Sequence, residues 1–361
     1  MLVKSKQYSI MLKPAKKALL NFVRSSGGLG VLARSGWRHN RILILGYHGV
    51  SLADEHVWDP SLFVTPDFLR RRFQLIKDNH CNVLPLHEAV VRLSQGTLPE
   101  KTVVITFDDG FYNFYGSAFP IIKDSDFPVT LYLTTFYSGY NRPVFATAAS
   151  YLLWSAGSRK LSLDPVLGID EGTTFDLSIA ADRKKAHARL VAFALKSNLS
   201  AETKDGILAK LCDELEIDFD AFCKRRAFQL LNASEIRYLS QQGLDIQLHT
   251  HRHRVPVDQD LFSEEIEKNR SFIQELTGGP TQHFCYPSGV FDKQFPSWLR
   301  SLDVITAVTS APGLVNQNTS PYRLPRIIDS ALLSEVEFEG WLSGFSQLLP
   351  SRSSLGLNDQ L

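Results

Sequence analysis

Cysteine, unbalanced charge and long apolar runs are all scarce in this chain. It has four cysteines in 361 residues and no CxxC pair, which excludes a scaffold built on disulfides and favours free thiols. No segment approaches the roughly 20 consecutive apolar residues that cross a bilayer. The 39 basic and 38 acidic residues nearly cancel, so the sequence predicts no nucleic-acid partner.

The first 39 residues are interpreted as a basic, helical extension. They lack the apolar run of about 7–15 residues that marks a secretory signal, so we expect a cytoplasmic protein. Pro14 is expected to begin a helix with an apolar stripe beside basic residues. Residues 13–24 could then rest on the inner face of the membrane, and the alternative is a helix packed on its own domain. The stripe consists of Ala15, Ala18, Leu19, Phe22 and Val23.

Short apolar segments and amphipathic segments alternate over residues 40–335. Strand patterns cover residues 42–45, 83–84, 103–107, 129–133, 244–249, 284–286 and 304–308, and helical patterns cover 66–77 and 87–93. This alternation predicts an α/β fold built from parallel βαβ units. Helical spacing dominates residues 141–226, which we interpret as an insertion. Residues 336–361 are expected to form a last helix and a flexible tail.

Two adjacent carboxylates follow the strand pattern that ends at Phe107. Active sites of α/β barrels lie at the carboxyl ends of the strands, which makes Asp108 and Asp109 candidate catalytic residues. The alternative is an aspartate that caps a helix before a glycine turn.

Three of the ten histidines lie within five residues, at His249, His251 and His253. On a helical turn, imidazoles at positions i and i+4 point the same way and can bind one metal ion. An extended segment would instead align all three on one face. Because the strand pattern ends at His249, we favour the turn, in which His249 and His253 are the ligands and His251 lies outside.

These motifs resemble those of the polysaccharide deacetylase family, which has the NodB homology domain (carbohydrate esterase family 4). Residues 106–110 (TFDDG) are similar to its first motif, residues 249–253 (HTHRH) to its HTxxH motif, and residues 284–289 to a variant of the third. The resemblance extends over about residues 41–330. It implies an irregular (β/α) barrel of about seven parallel strands. It also implies that Asp109, His249 and His253 bind the metal ion and that Asp108 is the general base.

Two features depart from the family pattern. Many relatives have an arginine two residues before the proline of the third motif, where this chain has Cys285, and Arg326 is a candidate to supply the missing charge. Many relatives also use a late histidine as general acid, but no histidine follows His283 here. Some relatives resemble a circularly permuted form with this function on an early strand. We therefore predict that His48 is the general acid, the alternative being a histidine that only stabilises a turn.

The residues and the resemblance together predict a hydrolase that removes the N-acetyl group of an amino sugar. The substrate would be a polysaccharide, an oligosaccharide or a lipid-linked glycan, as in exopolysaccharide biosynthesis. A divalent cation would activate water, and the resemblance implies that the backbone N–H of Tyr286 stabilises the oxyanion. The mixed ligands favour Zn²⁺, with Co²⁺, Ni²⁺ and Fe²⁺ left open. The alternatives are a hydrolase of another amide, such as a cyclic imide or ureide, and an inactive sugar-binding module.

Overall fold

The computed structural model describes the backbone of residues 2–349 and the side chains of residues 14–349. The tail predicted to follow Pro350 lies outside the described residues. The strands within the described part are β1 (Leu43–Tyr47), β2 (Gly49–Val50), β3 (Phe63–Val64), β4 (Asn82–Val83), β5 (Thr102–Phe107), β6 (Val129–Leu133), β7 (Lys160–Ser162), β8 (Thr174–Asp176), β9 (Asp245–Leu248), β10 (His283–Cys285), β11 (Thr306–Val308) and β12 (Ile327–Ile328).

Helices separate most of these strands. They are α1 (Leu2–Ser25), α2 (Gly28–Ala33), α3 (Gly36–His39), α4 (Glu55–Trp58), α5 (Pro66–Asp78), α6 (Leu86–Gln95), α7 (Phe119–Ser125), α8 (Phe136–Tyr140), α9 (Phe145–Ser155), α10 (Asp164–Leu167), α11 (Ala180–Lys196), α12 (Ala201–Glu214), α13 (Phe219–Lys224), α14 (Ala233–Gln241), α15 (Gln259–Thr277), α16 (Phe295–Ser301), α17 (Glu335–Leu342) and α18 (Phe345–Leu348). Some of these helices begin at a short capping motif. At α5, the Thr65 hydroxyl accepts the Phe68 N–H and Pro66 takes the first helical position.

The main sheet is entirely parallel, with the strand order β11-β10-β9-β6-β5-β1-β12 and β4 paired with the first residues of β5. Its two ends approach each other, because Val308 of β11 forms an isolated parallel bridge with Leu324, just before β12. The carboxyl ends of all these strands therefore meet at one edge. The predicted barrel of about seven parallel strands is confirmed.

Alternating side chains of the strands pack on opposite faces of the sheet. On β1, Leu43 and Leu45 belong to the main apolar cluster between sheet and helices, whereas Ile44 belongs to a second cluster with Val104, Tyr132, Cys285 and Val308 of the neighbouring strands. Successive residues of a strand point to opposite faces. Residues 104, 106 and 108 therefore share the face of this second cluster, which places Asp108 over it at the carboxyl edge.

Helices dominate residues 141–226, where the sequence predicts an insertion. Their apolar side chains form a cluster of their own, which includes Leu152, Leu190 and Leu208 and reaches the barrel through Phe63. Strands β7 and β8 form an antiparallel pair, which the sequence pattern does not predict. Strands of three residues are too short to show an alternating pattern, which explains the omission.

Helix α1 includes Pro14 in its interior, so the prediction that Pro14 begins the helix is wrong. A proline inside a helix removes one backbone hydrogen bond, and the helix can continue past it with a kink. Leu20 is fully buried against α17, where a Cβ added to Gly340 would lie 2.7 Å from Leu20 Cδ2. Arg24 Nε lies 2.9 Å from a carboxylate oxygen of Glu339. In the described part of the chain, no helix is both long and apolar enough to cross a membrane.

Candidate active site

The two predicted carboxylates lie where β5 ends. The Asp108 N–H donates to the Tyr47 carbonyl at 2.9 Å, which extends the β1–β5 pairing by one residue. The chain then turns, with positive φ angles of 70° at Asp109 and 80° at Gly110. A Cβ at Gly110 would lie 2.2 Å from Leu133 Cδ1, so this turn requires glycine. The turn is what lets two consecutive carboxylates face different neighbours.

Asp109 faces the two histidines that the sequence predicts as metal ligands. Its Oδ1 lies 3.3 Å from His249 Nε2 and 3.2 Å from His253 Nε2. The ligand atoms of the three side chains all lie within 4.8 Å of one another. Burial raises the pKa of Asp109, but the neighbouring His253 and His249 outweigh this and hold it well below its usual range. One carboxylate oxygen and two imidazole nitrogens are a donor set that fits a transition-metal dication.

The segment that carries the histidines is not the helical turn that the sequence analysis favours. Residues 249–253 contain no helix, and Thr250 and His253 have positive φ angles of 62° and 54°. These two left-handed residues fold the chain back, so His249 and His253 still converge on Asp109. His251 lies outside the trio, as predicted, with its Nδ1 2.9 Å from Thr135 Oγ1.

Contacts behind the histidines hold them in place. His249 Nδ1 lies 2.8 Å from the Cys285 carbonyl oxygen, which can only accept a hydrogen bond, so Nδ1 carries the proton and Nε2 is free to bind a metal. Buried Asn269 accepts the His249 N–H, and buried Glu265 accepts the Arg252 N–H at 2.7 Å. Neither Asn269 nor Glu265 was predicted from the sequence, where each is one polar residue among many on α15.

The carboxylate of Asp108 forms a buried ion pair with Arg326. The guanidinium donates to both carboxylate oxygens, at 2.8 and 2.7 Å, and also to Thr106 Oγ1 at 3.0 Å. Burial raises the pKa of Asp108, but Arg326 outweighs this effect and lowers it to about 2. The Cys285 sulfur is 3.1 Å from the guanidinium, so Arg326 brings a positive charge next to the position where many relatives have an arginine.

A second group of possible ligands, Asp108, His249 and Cys285, lies beside the first. Both oxygens of Asp108 already accept hydrogen bonds from Arg326. Burial raises the pKa of the Cys285 thiol well above its usual value, whereas metal binding needs the thiolate. A guanidinium this close also repels a cation. The trio with Asp109 is therefore the better candidate metal site.

The two remaining predicted residues border the same site. His48 directly follows β1, and its Nε2 lies 3.7 Å from Asp108 Oδ2. It is partly exposed to the cavity, as a proton donor to a substrate would be. The Tyr286 N–H, in contrast, donates to the Val308 carbonyl at 3.3 Å, so an oxyanion could use it only by displacing that contact. The roles of His48 and Tyr286 stay predictions.

A cavity of about 530 Å³ opens over these residues. Its floor contains Asp108, Asp109, His48, His249 and His253, and its walls come from the barrel loops and from the insertion. The volume exceeds that needed for a water and an acetyl group. The site therefore has room for a substrate of the size of a sugar unit with a substituent.

The fold and the site together define an α/β barrel with an Asp–His–His cluster at the carboxyl ends of its strands. Residues 95–152 and 170–307 match the family described as polysaccharide deacetylase, which is more than half of the chain. The chain therefore belongs to the polysaccharide deacetylase family.

Two curated relatives share the name poly-beta-1,6-N-acetyl-D-glucosamine N-deacetylase. The chain is 32% identical over 111 residues to that of Escherichia coli (strain K12), covering 30% of this chain and 16% of the relative. It is 29% identical over 113 residues to that of Staphylococcus epidermidis, covering 28% and 39%. The chain thus matches less than half the length of these relatives.

Solved structures are similar over most of the barrel. The deacetylase PplD of Streptococcus pyogenes, in complex with acetate, has a TM-score of 0.54 and 19% identity, and covers 86% of this chain and 99% of its own. IcaB from Ammonifex degensii has a TM-score of 0.53 and 16% identity, with coverages of 84% and 97%. At these identities the similarity shows a shared fold.

Proposed function

We propose that this chain hydrolyses the N-acetyl group of an amino sugar, using a divalent metal ion bound by Asp109, His249 and His253. The observation that carries the proposal is that two adjacent carboxylates have different contacts. Asp109 faces the imidazoles of His249 and His253, while both carboxylate oxygens of Asp108 accept hydrogen bonds from Arg326. One carboxylate is thus available to bind a cation and the other to accept a proton. The names of the curated relatives support an N-acetylglucosamine unit as the substrate.

A cation at this site would supply an activated water and polarise the acetyl carbonyl. Asp108, which is ionised at neutral pH because of Arg326, accepts the proton of the attacking water. The C–N bond then breaks, and the departing nitrogen must take up a proton. His48 borders the same cavity and is the proposed donor. The products are acetate and the free amino sugar.

The donor set supports zinc as the proposed ion. Three protein ligands leave a coordination position open, which is the arrangement of catalytic zinc sites. Imidazole and carboxylate ligands also accept Co²⁺, Ni²⁺ and Fe²⁺. Elemental analysis of the purified protein, followed by removal and return of each ion, identifies the one that restores activity.

The direct test measures acetate release from N-acetylglucosamine oligomers and glycosides, with and without a chelator. We expect release that the chelator stops and that a returned dication restores. Asp108→Asn and Asp109→Asn serve as controls for each other. Asp108→Asn should abolish turnover and keep the metal, whereas Asp109→Asn should lose both. Turnover of a cyclic imide with no acetate release from any sugar would replace this proposal with the alternative amide hydrolase.

We also propose that α1 rests on an anionic membrane surface. Leu19 and Phe22 are 43% and 69% exposed on this helix, and Lys16 and Lys17 lie within one turn of Leu19. Leu20 is the side chain that packs on α17, so the helix contacts its own domain with one face and keeps an apolar, basic face outside. This charge and apolar area suit anionic lipids. The expected cytoplasmic location stays a prediction.

A further inference from the structure

The cavity above the metal ligands continues into the helical insertion. In that part, the cavity is lined by side chains of α9 and α11 and not by the charged residues of the floor. Val191, Ala194 and Leu195 have the spacing i, i+3 and i+4, so they line the cavity from one face of α11. Val144 and Phe145 line it at the start of α9. This part of the cavity, which we name the insertion arm, is defined by these five residues and is apolar.

An apolar arm is a poor environment for another sugar unit. Burying a hydroxyl in it without a hydrogen-bond partner costs free energy, and each sugar unit carries several hydroxyls. A hydrocarbon chain has no such groups and is favoured by the burial of its surface. Leu195 is 69% exposed at the arm, an arrangement that leaves an apolar contact area open to an incoming ligand.

The cavity that contains the arm also has a cation in its lining. Lys204, on α12, lines the same cavity and is partly buried, and within the described residues it has no salt-bridge partner. Burial lowers the pKa of Lys204, and Arg254 nearby adds to this effect. Arg252 also lines the cavity, but its guanidinium is paired with Glu265. An ammonium without a partner beside an apolar wall suits an anionic group attached to a hydrocarbon chain.

We propose that the substrate is an N-acetylated glycolipid, with its hydrocarbon chain in the insertion arm and an anionic group at the sugar–lipid junction paired with Lys204. This inference rests on the proposed deacetylation. The anionic group favours a lipid on the sugar over a long N-acyl chain, because an acyl chain carries no charge near the amide. The exposed apolar face of α1 is consistent with an enzyme that works beside lipid.

The first experiment compares two N-acetylglucosamine glycosides that differ only in the aglycone, methyl and octyl, below the micelle threshold of the octyl compound. We expect the octyl glycoside to have a KM at least roughly tenfold lower, since its chain buries apolar surface. It should also raise the Tm of the protein more than the methyl glycoside does. The Tm shift reports on the arm even if no acetate is released.

Two substitutions of equally exposed leucines separate the arm from general surface effects. Leu195→Asp should remove the preference for the octyl glycoside and leave the methyl glycoside unchanged. Leu332→Asp is the matched control, because Leu332 is also 69% exposed but does not line the cavity. Equal KM values and equal Tm shifts for the two glycosides in the unmodified protein would overturn the proposal, while acetate release from both would leave deacetylation standing.

A third probe, methyl N-octanoylglucosaminide, places the same chain on the nitrogen. Faster hydrolysis of this compound, without any preference for the octyl glycoside, would assign the arm to the acyl group and overturn the lipid assignment. The role of Lys204 is tested with farnesyl phosphate and farnesol as inhibitors of methyl glycoside hydrolysis. Farnesyl phosphate should inhibit more strongly, and Lys204→Met should abolish the difference, whereas Lys210→Met on the same helix should preserve it.

Discussion

The ion pair between Arg326 and Asp108 offers the sharpest test of the site. Both side chains are almost fully buried, with 1% and 4% exposure, so solvent screens their interaction little. In Arg326→Met the carboxylate would remain buried without its cation. The usual loss on removing one partner of a buried pair is about 3–5 kcal/mol of unfolding free energy. We expect a loss in this range, together with a higher pKa for Asp108, because burial is then opposed only by the smaller effects of His48 and His249.

Urea unfolding measures the stability, and elemental analysis measures the metal. The metal content should persist, because no contact of Arg326 involves Asp109, His249 or His253. Turnover should fall, since a protonated base cannot accept the proton of water, and its acidic limb should move to higher pH.

Two further variants separate charge from packing. Arg326→Met combined with Asp108→Asn should recover much of the lost stability, because no unpaired charge is left buried, although turnover stays absent. Arg72→Met breaks another buried pair, in which Arg72 Nε lies 3.0 Å from Asp329. It should lower stability without moving the acidic limb. An Arg326→Met protein with unchanged stability and an unchanged pH profile would refute this account of the pair.

Further expectations concern the metal, the acid, stability and the membrane. His253→Ala should reduce the bound metal from about one ion per chain to near zero, and metal retained at the original level would exclude this trio. His48→Ala should lower kcat by roughly 10²–10⁴-fold with unchanged metal content, and substrates with better leaving groups should recover rate. Burial, with a smaller contribution from His87, lowers the pKa of His283 to about 4 in the folded protein, so the unfolded chain binds more protons between about pH 6.5 and 4. The metal-free protein should therefore lose up to about 3 kcal/mol of stability as the pH falls through that window, and His283→Gln should remove this part of the loss in urea titrations. Phe22→Ser should reduce sedimentation with anionic vesicles without changing hydrolysis of a soluble glycoside, and unchanged sedimentation would favour a helix that only packs on its domain.

The barrel and the cluster of Asp109, His249 and His253 were predictable because their signals are local. An apolar run with a charged end, as in residues 103–109, is sufficient to indicate a buried parallel strand and its functional edge. The spacing of His249 and His253 likewise restricts how far apart the two imidazoles can lie. The details of that segment were predicted wrongly, since two left-handed residues, and not a helical turn, bring the imidazoles together.

Other features depended on contacts between distant parts of the chain. Arg326 was only a candidate from the sequence, because 218 positions separate it from Asp108 and no local pattern pairs them. The hydrogen bond from the Tyr286 N–H to the Val308 carbonyl depends on how β10 and β11 pair. The insertion arm needs α9 and α11 to pack over the carboxyl edge of the barrel. Spacing along a chain determines the local conformation and which residues share a face, but only the closed barrel and the packed insertion determine which of these faces meet.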